Sequence, residues 1–168
     1  MSNPAHFSAV EVFDLAVQTE RNGRTFYEAA AAAASAPDVT QIMAHLAQAE
    51  AEHEATFRQL RDEAYPPGQA PVEEALPETY ADELVENMTA LLRSRVLPDE
   101  ATGLRVVAEM KDDTAALDFA LAFEKDTILF MQQMREMIPE HDRERLSVLI
   151  QQEHIHVRLL QALKDARA

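Results

Sequence analysis

Two Glu-x-x-His patterns are the residues of this chain whose types and spacing best suit chemistry. Glu50 is followed by His53, and Glu153 is followed by His156. An α-helix turns once in about 3.6 residues, so a Glu and the His three positions later project from one face and can bind one metal ion together. The spacing predicts two places where carboxylate and imidazole ligands meet, if both segments are helical.

The hydrophobic pattern indicates that both pairs face a core. Apolar residues recur at helical spacings on the face that carries each pair, for example Leu46 near the first and Leu160 near the second. Glu20 and Glu124 lie on apolar stripes of the same kind. The pattern therefore predicts four helices that each bury at least one acidic side chain.

The composition and the turn signals predict an all-α fold with one domain over residues 1–168. The chain has three glycines, and its long segments are rich in Ala, Glu and Leu. Long helices are predicted over 8–34, 39–64, 113–138 and 142–166, and shorter ones over 78–93 and 99–111. Turn residues at 35–38 and at Pro139 divide the chain into a hairpin (8–64), a crossover (65–111) and a second hairpin (112–166). This is the plan of a four-helix bundle.

The four acidic positions also agree in height along the predicted hairpins. Glu20 lies about 16 residues before the first turn and Glu50 about 14 after it, which at about 1.5 Å per residue puts both roughly 23 Å from the turn. Glu124 and Glu153 lie at similar offsets, about 15 and 14 residues, on either side of Pro139. Four carboxylates and two imidazoles should therefore meet at mid-height.

Such a cluster needs positive charge, because burying unpaired carboxylates costs several kcal/mol each. Two divalent ions would balance four carboxylates. The set of oxygen donors and neutral imidazoles suits iron or manganese better than copper, while zinc is also compatible. Each ion would take one His, one terminal Glu and a share in two bridging Glu. The metal ligands predicted are Glu20, Glu50, His53, Glu124, Glu153 and His156.

Composition and charge exclude several classes of function. Without cysteine, the chain has no thiolate nucleophile and no Cys-ligated metal site. The net charge of −15 disfavours nucleic acids and anionic membrane surfaces as partners. No long apolar stretch and no basic, apolar leader is present in the sequence. We therefore expect no membrane insertion and a cytoplasmic protein.

The ligand segments resemble those of a known family. The stretch 20–28, the two Glu-x-x-His pairs and the stretch 123–126 are similar to the erythrin domain of rubrerythrins, in the ferritin-like superfamily, over nearly the whole chain. The resemblance implies a ferritin-like fold, a di-iron centre, a homodimer or larger homo-oligomer, and activity toward hydrogen peroxide, dioxygen or ferrous iron. Because the Cys-ligated rubredoxin module is lacking, a peroxidase would need an external electron donor.

The chain also departs from that family. Thr127 stands where rubrerythrins tend to have a further Glu, and Gln132 stands in place of an expected aromatic residue. The favoured interpretation is a di-iron oxidoreductase of ferroxidase or peroxidase type. The alternative is a non-catalytic metal-binding or metal-sensing bundle whose crossover docks a partner.

Some residues around the predicted ligands allow two interpretations. Tyr27 shares the face of Glu20, so its hydroxyl either bonds a ligand carboxylate or is satisfied elsewhere in the core. Gly23 inside a helix either permits close approach or has no special role. Four histidines are expected at the surface or at helix ends, namely His6, His45, His141 and His154. Three acidic residues are expected on a solvated face, namely Glu52, Glu54 and Glu63.

Overall fold

A computed structural model describes residues 9–64, 66 and 78–168. The described residues form helices and no strands, which confirms the predicted all-α class. The helices are α1 (Ala9–Ala33), α2 (Pro37–Ala64), α3 (Glu78–Ser94), α4 (Glu100–Glu109), α5 (Asp113–Arg135) and α6 (Arg143–Ala166), with a short 3-10 helix at Glu140–Asp142.

The four long helices form a bundle of two hairpins. Helix α1 packs along α2 and α5 packs along α6, while α1 also contacts α5 and α2 contacts α6. Within the crossover, α4 packs on α1 and α3 packs on α5. The predicted arrangement of two antiparallel hairpins joined by a long, partly helical crossover is confirmed.

Most helix boundaries lie within two residues of the prediction, and two of the differences have a physical explanation. Helix α2 begins at Pro37, where a residue without an N–H is tolerated because the first amides of a helix have no acceptor. Helix α5 ends at Arg135, although the apolar pattern predicted helix to residue 138. Met137 and Ile138 lie in the turn after α5 and are only 7% and 3% exposed. They are apolar because they pack in the core, and not because the helix continues through them.

The core consists of two apolar clusters that follow one another along the bundle. One contains Phe13, Phe57 and Met134. The other contains Tyr27 and Leu46, together with much of the first half of α5. In every long helix the predicted ligand positions fall between residues of the two clusters, so apolar packing closes the site at both ends.

Candidate metal centre

Each long helix contributes to one buried polar cluster. Glu20 comes from α1, and Glu124 comes from α5. The two Glu-x-x-His pairs come from α2 and α6. The four carboxylates have no exposed surface, and the imidazoles of His53 and His156 are 4% and 5% exposed. The structure thus brings together the six residues predicted as metal ligands, and their role as ligands stays a prediction.

The first of two overlapping groups is built around His53. It comprises Glu20, Glu50, His53 and Glu153, whose ligand atoms all lie within 4.8 Å of one another. The Nδ1 atom of His53 is 3.5 Å from Glu20 Oε2, 3.9 Å from Glu50 Oε2 and 2.8 Å from Glu153 Oε1. Three carboxylates therefore face one imidazole nitrogen from three different helices.

The second group repeats this arrangement around His156. It comprises Glu50, Glu124, Glu153 and His156, again within 4.8 Å. The Nδ1 atom of His156 is 2.9 Å from Glu153 Oε2 and 3.7 Å from Glu124 Oε1. Glu50 and Glu153 belong to both groups, so they are placed to bridge two ions.

The donor atoms of this cluster fit divalent ions because many of them lack a protein partner. His53 Nδ1 and Glu153 Oε1 are 2.8 Å apart and can form an ion pair, but neither atom has a hydrogen-bond partner. Atoms without a hydrogen bond also include both carboxylate oxygens of Glu20 and Glu50, and Oε2 of Glu124. Buried polar atoms are usually satisfied, and a bound cation would satisfy this concentration of donor atoms.

The outer nitrogen of His53 is held by a residue that the sequence did not single out. His53 Nε2 lies 3.0 Å from Gln152 Oε1 on α6. The amide oxygen can only accept, so it favours the tautomer with the proton on Nε2 and leaves Nδ1 free for a metal. Gln152 stands four residues before His156, and the equivalent place before His53 is Ala49. The two halves of the site are therefore not identical.

Tyr27 contacts the site directly. Its hydroxyl donates to Glu124 Oε1 at 2.5 Å, and its ring is fully buried. Of the two interpretations that the sequence left open, the structure shows the bond to a site carboxylate. Glu124 is thereby oriented from α1, across the hairpins.

Gly23 is required by close helix approach. A Cβ atom built on Gly23 would lie 2.6 Å from Phe123 Cε1 and 3.3 Å from the carboxyl carbon of Glu50. Carbon atoms normally stay about 3.5 Å or more apart, so a side chain at this position would displace the Phe123 ring. The missing side chain lets α1 approach the site.

Without metal, protons occupy the histidines. Burial lowers the pKa of His53, but the carboxylates of Glu153 and Glu20 outweigh it and raise the pKa to about 11. Burial likewise lowers the pKa of His156, and Glu124 and Glu153 raise it to about 9. Both imidazoles are therefore cationic in the metal-free protein at neutral pH.

The carboxylates respond unequally to the same environment. Burial, and then the charge of Glu153, raises the pKa of Glu124 to about 8. Burial and the charges of Glu20 and Glu153 also raise the pKa of Glu50 well above its usual value. Burial opposes ionisation of Glu153 too, but the two imidazoles lower its pKa. The metal-free site thus holds protons where ions would otherwise supply positive charge.

The burial of Glu54 differs from the prediction. It was predicted on a solvated face, but it is 5% exposed. Arg21, Arg24 and Arg58 contact its carboxylate at 3.0, 3.0 and 2.6 Å. Three guanidinium groups compensate one buried charge, and the two from α1, Arg21 and Arg24, connect α1 to α2 beside His53. The helical periodicity of α2 alone could not show this.

The other described histidines belong to neither group, although the ring of His45 lies edge-on to that of His156, with 6.4 Å between the centroids. His45 and His154 are exposed, and the side chain of His141 is 76% exposed, as predicted. His6 lies outside the described residues. Glu52 and Glu63 are exposed, also as predicted. Thr127 is buried, and its hydroxyl has no hydrogen-bond partner.

A surface cleft reaches the imidazole side of the cluster. It lies between α2 and α6, has a volume of about 460 Å³, and is lined in part by His53 and His156. Ala49, Val148 and Ile155 supply apolar wall. The cleft gives small molecules a path toward the two imidazoles.

Fold and site together define a helical bundle that carries a buried carboxylate and imidazole centre. The family model of rubrerythrin matches residues 11–164, and the chain belongs to the rubrerythrin family. Its fold is accordingly ferritin-like. No curated protein and no solved structure matches the chain. The sequence has no cysteine, so these residues hold no rubredoxin module. Among the described helices, none has the length and apolar character needed to cross a lipid bilayer.

Proposed function

We propose that the chain is a non-haem di-iron oxidoreductase that oxidises ferrous iron or reduces hydrogen peroxide or dioxygen. The observation that carries the proposal is the overlap of two four-residue groups that share Glu50 and Glu153. Two independent metal sites would not need common ligands, whereas a dinuclear centre does. Family membership supports iron as the metal.

When bound, two iron ions would supply reversible one-electron changes, two electrons in all. The residues of the chain would hold the two ions and exclude water. Glu50 and Glu153 hold the pair together, while Glu20 and Glu124 each complete one side. The apolar clusters above and below exclude water, which strengthens these electrostatic contacts.

The source of electrons separates the two reactions. Ferrous iron as substrate is itself the reductant, so a ferroxidase needs dioxygen or hydrogen peroxide as electron acceptor but no further electron donor. Peroxide or dioxygen turnover needs an external donor, because the cysteine-free sequence carries no Cys-ligated electron-transfer module. Turnover assays with and without an added reductant therefore distinguish the two reactions.

Metal loading and turnover test the proposal together. Anaerobic titration with ferrous iron should saturate near two ions per chain, and oxidant should then raise ferric absorption in the near ultraviolet. Consumption of peroxide and of dioxygen is measured on the same samples. Loading without any consumption would leave a non-catalytic metal-binding bundle, and no loading would refute both interpretations.

Matched variants show whether the shared carboxylates are responsible. Glu50→Gln and Glu153→Gln should each reduce loading to at most one tightly bound ion, since a neutral amide is a weak ligand. Glu52→Gln removes an exposed carboxylate from the same helix and should load normally. His154→Ala should also load normally, because His154 is exposed and belongs to neither group.

A further inference from the structure

The guanidinium of Arg95, in the crossover, contacts the residue that precedes Glu20. Arg95 follows α3, and its Nη2 donates to the hydroxyl of Thr19, the residue before Glu20. Its guanidinium carbon lies 5.3 Å from the centre of the Phe130 ring, a cation–π contact. The side chain is therefore fixed on two sides, between α1 and α5.

The backbone around Arg95 is anchored as well. The amide of Val96 donates to Asp126 Oδ2 at 2.8 Å. The carbonyl of Leu97 accepts from Asn22 Nδ2 at 3.4 Å. These contacts tie the segment between α3 and α4 to α5 and α1, so the position of the Arg95 charge is set by the fold.

This charge acts on one half of the site. Burial lowers the pKa of Arg95, and the charges of Glu20 and Asp126 raise it. Arginine nevertheless stays protonated in proteins. Within the described part of the chain, the ion pairs of the four site carboxylates are all with the two histidines. Arg95 is thus a fixed positive charge beside Glu20, which belongs to the first group only.

We propose that Arg95 is a positioning residue that makes the two metal positions unequal. Its charge weakens cation binding in the first group and offsets carboxylate repulsion when no metal is bound. The inference rests on the proposed dinuclear centre. Its consequence is stepwise loading, in which the ion at Glu20 and His53 is bound more weakly and exchanges first.

A charge effect and a structural effect predict opposite results for Arg95→Met. Methionine keeps an unbranched side chain that can pack on Phe130 but removes the charge. If the charge matters, the weaker of the two ions binds about tenfold more tightly, as expected for removal of one nearby positive charge in a partly buried site. The metal-free protein then melts at a lower temperature at pH 8. If Arg95 only supports the fold, both metal affinity and melting temperature fall.

Stepwise binding of cobalt(II), measured by calorimetry on the full chain, tests the inference. Arg95→Lys keeps the charge and should retain two unequal constants. Arg93→Met removes an exposed charge from the end of α3 and should also leave them unchanged. Arg95→Met should bring the two constants closer together.

The outcomes separate this inference from the proposed function. Two equal constants in the unaltered protein, or weaker or unchanged binding in Arg95→Met, would overturn the role of Arg95 and leave the dinuclear centre standing. The same holds if Arg95→Lys behaves like Arg95→Met. No uptake of cobalt by the unaltered protein would refute the dinuclear centre and this inference with it.

Discussion

Replacing Gly23 by alanine tests how closely α1 packs against the candidate metal centre. In an ordinary helix interior this change stabilises by about 1 kcal/mol. At Gly23 the new Cβ would lie 2.6 and 2.7 Å from two atoms of the Phe123 ring. The ring would have to move by about 1 Å to reach normal contact distance.

That movement is costly because the ring is enclosed. Phe123 is 1% exposed and packs edge-on against Tyr27, with 6.0 Å between ring centroids. Overpacking of this kind costs about 1–3 kcal/mol, which exceeds the gain in helix propensity at all but the lower end. We expect a net loss of up to about 2 kcal/mol, with a fall of roughly 2–4 °C in melting temperature for each kcal/mol lost in a chain of this size.

Gly103→Ala is the matched control. Gly103 is also a buried position within a helix, but the nearest neighbour of its added Cβ atom would be Leu97 Cδ1 at 3.1 Å, the end of a flexible side chain. Differential scanning calorimetry of both metal-free variants should show a lower melting temperature for Gly23→Ala and a smaller change for Gly103→Ala. Metal loading should weaken only in Gly23→Ala, because Glu50 lies 3.3 Å from the new atom.

The reasoning would be wrong if Gly23→Ala melted at a higher temperature than the unaltered protein. That result would mean that α1 shifts away freely and that the close approach is not enforced by the core. Unchanged metal loading despite a lower melting temperature would show that the Phe123 ring moves while the carboxylate of Glu50 keeps its position.

Three further predictions concern protonation and orientation of the ligands. The stability of the metal-free protein should fall as the pH rises from 5 to 9. The pKa values of Glu124 (about 8) and His156 (about 9) are raised, so the folded state keeps protons that the unfolded chain releases at lower pH. Loading two ions at pH 7 should release at least about three protons, one each from His53, His156 and Glu124, measured by calorimetry in buffers of different ionisation enthalpy. Gln152→Ala should weaken metal binding about tenfold or more by freeing His53 Nε2, as found for outer partners of ligand histidines.

Each of these has its own contrary result. A melting temperature that stays constant between pH 5 and pH 9 would contradict close clustering of the carboxylates. Below pH 5, stability should fall as the pH falls, because the pKa of Glu153 is lowered in the folded state. Proton release near zero would mean that the ligands are already deprotonated. Gln151→Ala alters an exposed neighbour, and an equal loss of affinity there would remove the role assigned to Gln152.

Much of the fold was predictable because a helix fixes its own face. The period of apolar residues is enough to identify four long helices and to place Glu20, Glu50, Glu124 and Glu153 on their buried sides. Equal distances from the two turns further predict that these positions are level. Local geometry within one helix and across one short turn is sufficient for both conclusions.

The sequence by itself determined most of the residues that face inward, and only the tertiary structure decided which of them belong to both groups and what surrounds them. Glu50 and Glu153 became common to both groups because α2 and α6, remote in sequence, lie side by side. Glu54 is buried and Arg95 reaches Thr19 for the same kind of reason. Rotation and offset between helices that are not joined by a short turn depend on packing of the whole core, and no local pattern encodes them.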